Sequence, residues 1–400
     1  MTDTVTTDTI RKLATVRVLC DPQPMDKADF ICVARCEGWT LVVNKIAFGF
    51  DALPALALPA GVPAPEGGWQ PVTRDDLPAW AAGLPAGSTA CIFFEPDTVL
   101  DLDNPEFTAF DKYNRRIKTQ KIRKVISQGL AVPLHLVRHY GVEPRDLELG
   151  QDLTAIMRCA KYVAAEEAGQ YATQRSGELS PGTAPFPEDS VPKTDEANLQ
   201  SNTALWTTAL MANRVITVTE KQDGSSMTIN HETICGRNFQ WLPLNDAGTE
   251  WAHNAQPYVS ADAKFKLRDK LKARFERTGE GIWLQCEIVG PKLNGNRLGL
   301  EAVDVRVFNV YASGAYLPHE RVMQICDELG VPSVPVLHLG VRASELPYKT
   351  VKDWLDAANK RMYGKDKPAE GLVIKTDDHG TAGPRVSFKV ISPEYLVKVG

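Results

Sequence analysis

Val215-Ile216-Thr217-Val218-Thr219-Glu220-Lys221-Gln222-Asp223-Gly224 is the stretch whose reading decides the fold. The apolar, β-branched run from Val215 to Thr219 reads as a buried strand. It delivers Lys221 to the strand's end. A lysine so placed is a candidate nucleophile, because burial or neighbouring cations lower the pKa of its amine. Asp223-Gly224 reads as a tight reversal with φ > 0. On this stretch alone, a surface hairpin carrying a solvated lysine stays open as the alternative.

The chain around it has 400 residues, of which 43% are apolar. That supplies cores for two or three domains. No apolar run is long enough to cross a bilayer. Met1 to Asp8 is polar and lacks the apolar stretch of a secretory signal. The expectation is a cytoplasmic monomer without a membrane partner. Eight cysteines lie scattered at 20, 32, 36, 91, 159, 235, 286 and 326, with no C-x-x-C pair. Cys32 and Cys36 have no second pair to complete a zinc site, so the cysteines read as reduced core thiols. The seven histidines do not cluster, and a zinc or histidine-based mechanism has no support.

A net charge of −5 argues against a chain coated with nucleic acid. The distribution says more. Lys112, Arg115, Arg116, Lys118, Lys121, Arg123 and Lys124 fall in one run without an acid, interleaved with Tyr113, Ile117, Ile122 and Val125. A charge run is ordinarily a solvated face. This one is partly anchored, which makes it a candidate phosphate track.

The expected fold class is α+β. Residues 1–145 read as mostly strand, with runs at Leu13 to Leu19, Phe30 to Arg35, Trp39 to Ile46 and Ala90 to Glu95. Their spacing suits a small barrel. The Pro- and Ala-rich residues 53–85 read as an insertion. Residues 146–205 read as a linker, with helical patterning from Asp152 to Ala168. It continues through a Ser/Gly/Pro-rich stretch to Pro192-Lys193-Thr194-Asp195-Glu196, where Thr194 or Asp195 is a candidate N-cap. Residues 206–400 alternate strands and helices without regular βαβ order. Helices are expected over Ala261 to Thr278 and over Pro318 to Leu329, the latter stopped by Gly330. Strands are expected at Met227 to Asn230, Ile282 to Val289, Val303 to Tyr311, Gly371 to Lys375 and Arg385 to Ile391.

Five segments follow Lys221 in order: Cys235-Gly236-Arg237-Asn238-Phe239, Leu284 to Pro291 around Glu287, Phe308-Asn309-Val310-Tyr311, Glu370-Gly371-Leu372-Val373-Ile374-Lys375 and Ser387-Phe388-Lys389-Val390-Ile391-Ser392. With K-x-D-G, this series resembles the ordered motifs of covalent nucleotidyltransferases. In detail it is similar to ATP-dependent RNA ligases of the nick-sealing type, which place an OB domain ahead of the catalytic domain. Arg116-Ile117-Lys118-Thr119, Ile126 to Leu130, Phe186-Pro187-Glu188 and Pro192 to Glu196 carry the resemblance into the N-terminal half.

The resemblance implies an N-terminal OB-type barrel and an adenylyltransferase domain built on antiparallel sheets. It implies that Lys221 attacks the α-phosphorus of ATP to form lysyl–AMP. AMP then passes to a 5′-phosphate, and a 3′-hydroxyl displaces it to seal a nick whose 3′-strand ends in ribonucleotides. Lys375 and Lys389 would contact the α-phosphate and, as cations, lower the pKa of Lys221. Glu370 would hold Mg²⁺ or Mn²⁺. Glu287 would meet the ribose or the lysine, Phe308 would stack on adenine, and Arg237 would clamp a phosphate. Glu220 would line the adenine pocket. Arg115, Arg116, Lys118, Lys121, Arg123 and Lys124 would grip the RNA backbone. Their alternatives are ordinary strand lysines, a salt-bridged glutamate and a core aromatic. One departure stands out, because related ligases carry a lysine where this chain has Ser387. Either Arg385 supplies the missing charge or the step depends more on metal. Eleven residues follow Lys389, and the expectation is that no C-terminal OB domain follows, against a capping-type or DNA-joining enzyme. A non-catalytic RNA-binding module is the other alternative.

Overall fold

The computed structural model describes residues 14–25, 28–36, 38–44, 78–83, 89–122, 125–162, 179–207, 214–379 and 382–399. Most of 53–85 lies outside them. The chain divides into two units, Met1–Val163 with Leu396–Gly400, and Ala164–Tyr395.

In the first unit, strands Trp39–Asn44, Ala28–Cys36, Ala14–Met25, Thr89–Phe94 and Leu130–Val132 lie side by side in that order, all antiparallel. Alternation along Thr89–Phe94 puts Ala90, Ile92 and Phe94 on one face. They pack there with Leu100, Phe107, Leu134 and Met157, and Phe94 meets Phe107 edge to face at 5.7 Å. No ladder joins the two edge strands among the described residues, so the expected barrel is not found closed. Leu130–Val132 is only three residues long and pairs with Thr89–Phe94 alone. Two single bonds tie the other edge nearby: Gln128 N–H donates to Thr40 O at 2.8 Å, and Val42 N–H donates to Ser127 Oγ at 3.0 Å. Asp152 to Ala168 is not a helix where described. It makes turns, then the short strand Ala160–Lys161 paired with Thr98–Val99.

The second unit is built on two sheets. One has seven strands and includes Ser225–Ile229, Ile282–Val289 and Asp304–Ala312 as neighbours. The other runs Ala197–Asn198, Ser387–Ile391, Gly371–Thr376, Val215–Lys221, Val336–Arg342. Only the pairing of Ala197–Asn198 with Ser387–Ile391 is parallel there. The seven-stranded sheet buries Met227, Leu284, Cys286 and Val307 against helices Gln256–Phe265, Leu267–Thr278 and His319–Leu329. The lysine-bearing sheet buries Val218, Ile374 and Phe388 against Trp354 of helix Val351–Asn359. The helix expected over Ala261 to Thr278 starts earlier and breaks at Lys266, whose φ of 52° is left-handed. Helix His319–Leu329 ends on Gly330 at φ 59°, as expected.

The described linker is woven into both sheets, because its backbone donors and acceptors find strand edges. Thr183–Pro185 pairs with Phe239–Trp241, and Ala197–Asn198 pairs with Ser387–Ile391. Pro192 to Glu196 caps no helix, since the chain leads from there straight into a strand.

Candidate functional site

Lys221 ends a strand of one sheet, and Ser225 begins a strand of the other. Gln222-Asp223-Gly224 is therefore the crossover between sheets, and the surface-hairpin reading is excluded. Glycine is needed at 224 for space rather than for a positive φ. A Cβ there would lie 2.1 Å from Ile288 O, and position 224 is not among the positive-φ residues. Across the ladder Lys221 faces Gly371. A Cβ on Gly371 would meet Val390 O at 2.0 Å, and its φ is +153°. Both glycines let neighbouring backbones close around the lysine.

Lys221 Nζ donates to Glu370 Oε2 at 2.8 Å. Tyr363 joins the two backbones: its hydroxyl donates to Lys221 O at 2.6 Å and accepts from Glu370 N–H at 3.2 Å. Burial alone would lower the pKa of Lys221. The carboxylates of Glu370, Glu287 and Asp223 outweigh it and hold the amine above its usual value. The expected depression by Lys375 and Lys389 is not what the structure has, because three carboxylates surround the ammonium. The same crowding acts on the acids. Burial pushes Glu287 up to about 8, opposed by Lys221 and reinforced by Glu370 and Asp223. Asp223 is raised by burial and by Glu370, although Asn294 Nδ2 donates to its Oδ1 at 3.0 Å.

Phe308 and Lys375 form the opposite wall. Phe308 is half-buried, and Lys375 Nζ sits 5.4 Å from its ring centroid. Lys375, 4% exposed, donates to Phe308 O at 2.6 Å and to Asn309 Oδ1 at 2.8 Å. Burial pulls its pKa down to about 7, opposed by Glu196 and helped by Arg385. Lys389 lies on the adjoining strand opposite Val373. Ser387 stands directly opposite Lys375 in register, and its buried hydroxyl has no hydrogen-bond partner. Arg385 lies 4.1 Å over the Tyr316 ring and 3.7 Å from Glu196 Oε1.

Arg237 reaches across to Asp195, and Thr194 Oγ1 to Ser226 Oγ at 3.0 Å. Glu220 is buried, with Arg361 Nη2 donating to one oxygen at 2.8 Å and Gln222 Nε2 to the other at 2.8 Å. A cavity of about 430 Å³ opens between these groups. Lys221, Lys375, Lys389, Glu220, Arg237, Glu287, Phe308 and Glu370, the eight positions singled out for catalysis, nucleotide and metal, all line it. Asp195, Glu196, Asp223, Tyr363 and Tyr395 were not foreseen as site groups. The acidic pair at 195–196 was the available signal, but its partners are brought near only by folding.

Among the described residues no three His, Cys, Asp or Glu side chains converge on one metal position. The donor chemistry nevertheless fits a hard cation, because Glu370 offers carboxylate oxygens beside a cavity that admits phosphate.

The basic strip has a different fate. Arg115 is buried, donating to Asp101 O at 2.7 Å, Asn104 O at 2.6 Å and Asp111. It is a structural cation rather than a phosphate contact. Arg116 bonds Asp97 Oδ1 at 2.6 Å and stacks on Tyr162 at 3.7 Å. Lys112 and Lys121 are exposed and Lys118 is half-buried. Arg123 and Lys124 lie outside the described residues.

The family model for RNA ligase matches residues 214–391. Among solved structures, the chain is similar to Naegleria gruberi RNA ligase with PPi, at 23% identity and TM-score 0.67 over 97% of this chain and 99% of that one. A mutant of the same enzyme with ATP and Mn matches at 24% identity and TM-score 0.68 over 97% and 99%. A further mutant, apo, matches at 24% and 0.68 over 97% and 98%. These likenesses show a shared fold across nearly the whole chain. No curated protein matches the sequence.

Proposed function

We propose that this chain, whose residues 214–391 match the RNA ligase family model, carries out ATP-dependent joining of an RNA 3′-hydroxyl to a 5′-phosphate, chiefly at nicks with a ribonucleotide 3′-end. The observation that carries this reading is that one cavity is lined by all eight of the residues named above.

The residues divide the work. Lys221 Nζ attacks the α-phosphorus, losing its proton as pyrophosphate leaves, and a phosphoramidate to AMP forms. Lys221 becomes a nucleophile only when its ion pair with Glu370 is broken, since that carboxylate keeps it protonated. Glu370 would hold Mg²⁺ or Mn²⁺, which supplies charge neutralisation on phosphate oxygens. Lys375 and Lys389 would face the α-phosphate, Phe308 the adenine ring, Glu287 the ribose, and Arg237 a phosphate released to it by Asp195. Glu220 would line the adenine pocket. AMP then moves from Lys221 to the 5′-phosphate. The 3′-hydroxyl oxygen next attacks that phosphorus, and AMP leaves.

The N-terminal sheet, read as an OB-type domain over 1–145, would bind RNA through Lys118, Lys121, Arg123 and Lys124. Residues 146–205 are read as the connection and 206–400 as the adenylyltransferase domain. The site is completed by one chain, which suits a monomer. No helix among the described residues is long and apolar enough to cross a membrane, and a reaction on ATP and RNA suits the cytoplasm.

Protein incubated with ATP and a divalent cation should gain the mass of AMP at position 221, and Lys221→Ala should gain none. That variant should still seal a pre-adenylated nick. An unmodified peptide from folded wild-type protein refutes the reading. Sealing that ignores the sugar at the 3′-end refutes the RNA preference alone.

A further inference from the structure

Behind the Phe308 wall, three polar side chains form a line. Gln285 Nε2 donates to Pro192 O at 2.8 Å. Asn309 Nδ2 donates to Gln285 Oε1 at 2.9 Å. Lys375 Nζ donates to Asn309 Oδ1 at 2.8 Å. Gln285, Asn309 and Lys375 are 0%, 5% and 4% exposed. Gln285 and Asn309 are register partners on adjacent strands, with a bulge just after Gln285.

The line has one possible direction. A backbone carbonyl only accepts, so Gln285 must turn its NH₂ to Pro192. An ammonium only donates, so Asn309 must turn its oxygen to Lys375. Both ends demand the same amide orientation, and the middle bond then forms without conflict. Strand packing alone needs none of this. Apolar side chains would fill these positions without the cost of burying two amides.

We propose that Asn309 and Gln285 are positioning residues: their amides, anchored on the carbonyl of Pro192, hold the Lys375 ammonium as a donor at the cavity wall and favour its charged form. This rests on the adenylation reading of the cavity. Asn309 and Phe308 O are the neutral acceptors on the ammonium. The charged and titratable groups around it are Glu196 before strand Ala197–Asn198, Asp377 after its own strand, Arg385 before strand Ser387–Ile391, and His319 at its helix start. Lys389 lines the same cavity. Those groups stay unchanged when Asn309 alone is altered.

The test is the pH dependence of lysyl–AMP formation, followed by intact mass at saturating ATP. Wild type should lose rate on an alkaline limb as Lys375 loses its proton. Asn309→Asp sets a carboxylate against the ammonium and should move that limb up by about one pH unit. Asn309→Leu removes the acceptor and should move it down. Gln285→Met should shift it the same way as Asn309→Leu, by less. A structural role would lower melting temperature in all three without moving limbs in opposite directions. If Asn309→Leu does not fold, the near-isosteric Asn309→Asp decides alone. A limb that stays put in Asn309→Asp, moves the same way in both Asn309 variants, or is absent from wild type overturns the proposal. Wild type that forms no adduct at any pH overturns instead the adenylation reading.

Discussion

Arg115 and Arg237 both bond an aspartate, although the sequence sets one in a basic run and the other after a glycine in a short motif. In the N-terminal unit Arg115 is 6% exposed and also bonds two backbone carbonyls. In the C-terminal unit Arg237 has a side chain 32% exposed, an ion pair with Asp195, and a place on the cavity wall. Backbone carbonyls of a packed fold cannot leave their donor, whereas a half-exposed carboxylate can be exchanged for a phosphate. The kind of partner therefore separates a cation locked into the fold from one whose partner can be exchanged, which charge and spacing do not.

The comparison breaks most easily by truncating each arginine. Arg115→Met should destabilise the N-terminal unit by roughly 3 kcal/mol, because buried acceptors lose a charged donor. Arg237→Met should leave melting within about 0.5 kcal/mol of wild type while sealing falls at least about tenfold, a loss near 1.4 kcal/mol. Equal loss of stability in both would erase the distinction. His319 sharpens it for a buried titratable group behind the cavity. Burial, aided by Lys375, lowers its pKa from 6.5 to about 3. The folded state therefore excludes a proton that the unfolded state takes up. The stability this contributes is full above pH 6.5 and is lost as pH falls toward 3. Chemical denaturation should show the slope in that window shrinking by up to about 1.4 kcal/mol per pH unit in His319→Gln. An unchanged slope would mean the imidazole is not buried neutral. The smallest effect concerns the strip's lysines. Lys118→Ala with Lys121→Ala should reduce the salt slope of RNA binding by about one for each lysine–phosphate pair removed, with little change in melting. A slope equal to wild type would leave the strip without a role in binding.

Much of the site was legible because its chemistry sits in short ordered motifs on strands, and each strand's alternation sends the marked side chain to one face. Val215 to Lys221 and Gly371 to Lys375 show this, since burial dictates their type and register follows. The glycines were legible as residues but not in their reason. Gly224 looked like a turn residue and is a point of strand contact, which depends on Ile288 from a distant segment. The Asp152 to Ala168 pattern looked helical, yet its described part, to residue 162, forms turns and a short strand whose backbone pairs with Thr98–Val99. The charge state of Lys221 was misread for the same kind of reason. The resemblance pointed to Lys375 and Lys389 as the charges acting on it, whereas folding brings Glu370 and Glu287 to join Asp223 around the amine.

The sequence by itself marked which side chains to follow, because their types stand in short motifs whose order resembles a known series, while strand periodicity alone left Phe308 open as a core aromatic. The tertiary structure alone decided which of those charges are neutralised and by whom. Arg115 is sealed by carbonyls, Arg237 is held by Asp195, and Lys221 is kept protonated by three carboxylates. Those outcomes depend on distances between segments far apart in the chain, and Coulomb and desolvation energies are set by such distances and by burial, neither of which a linear pattern records.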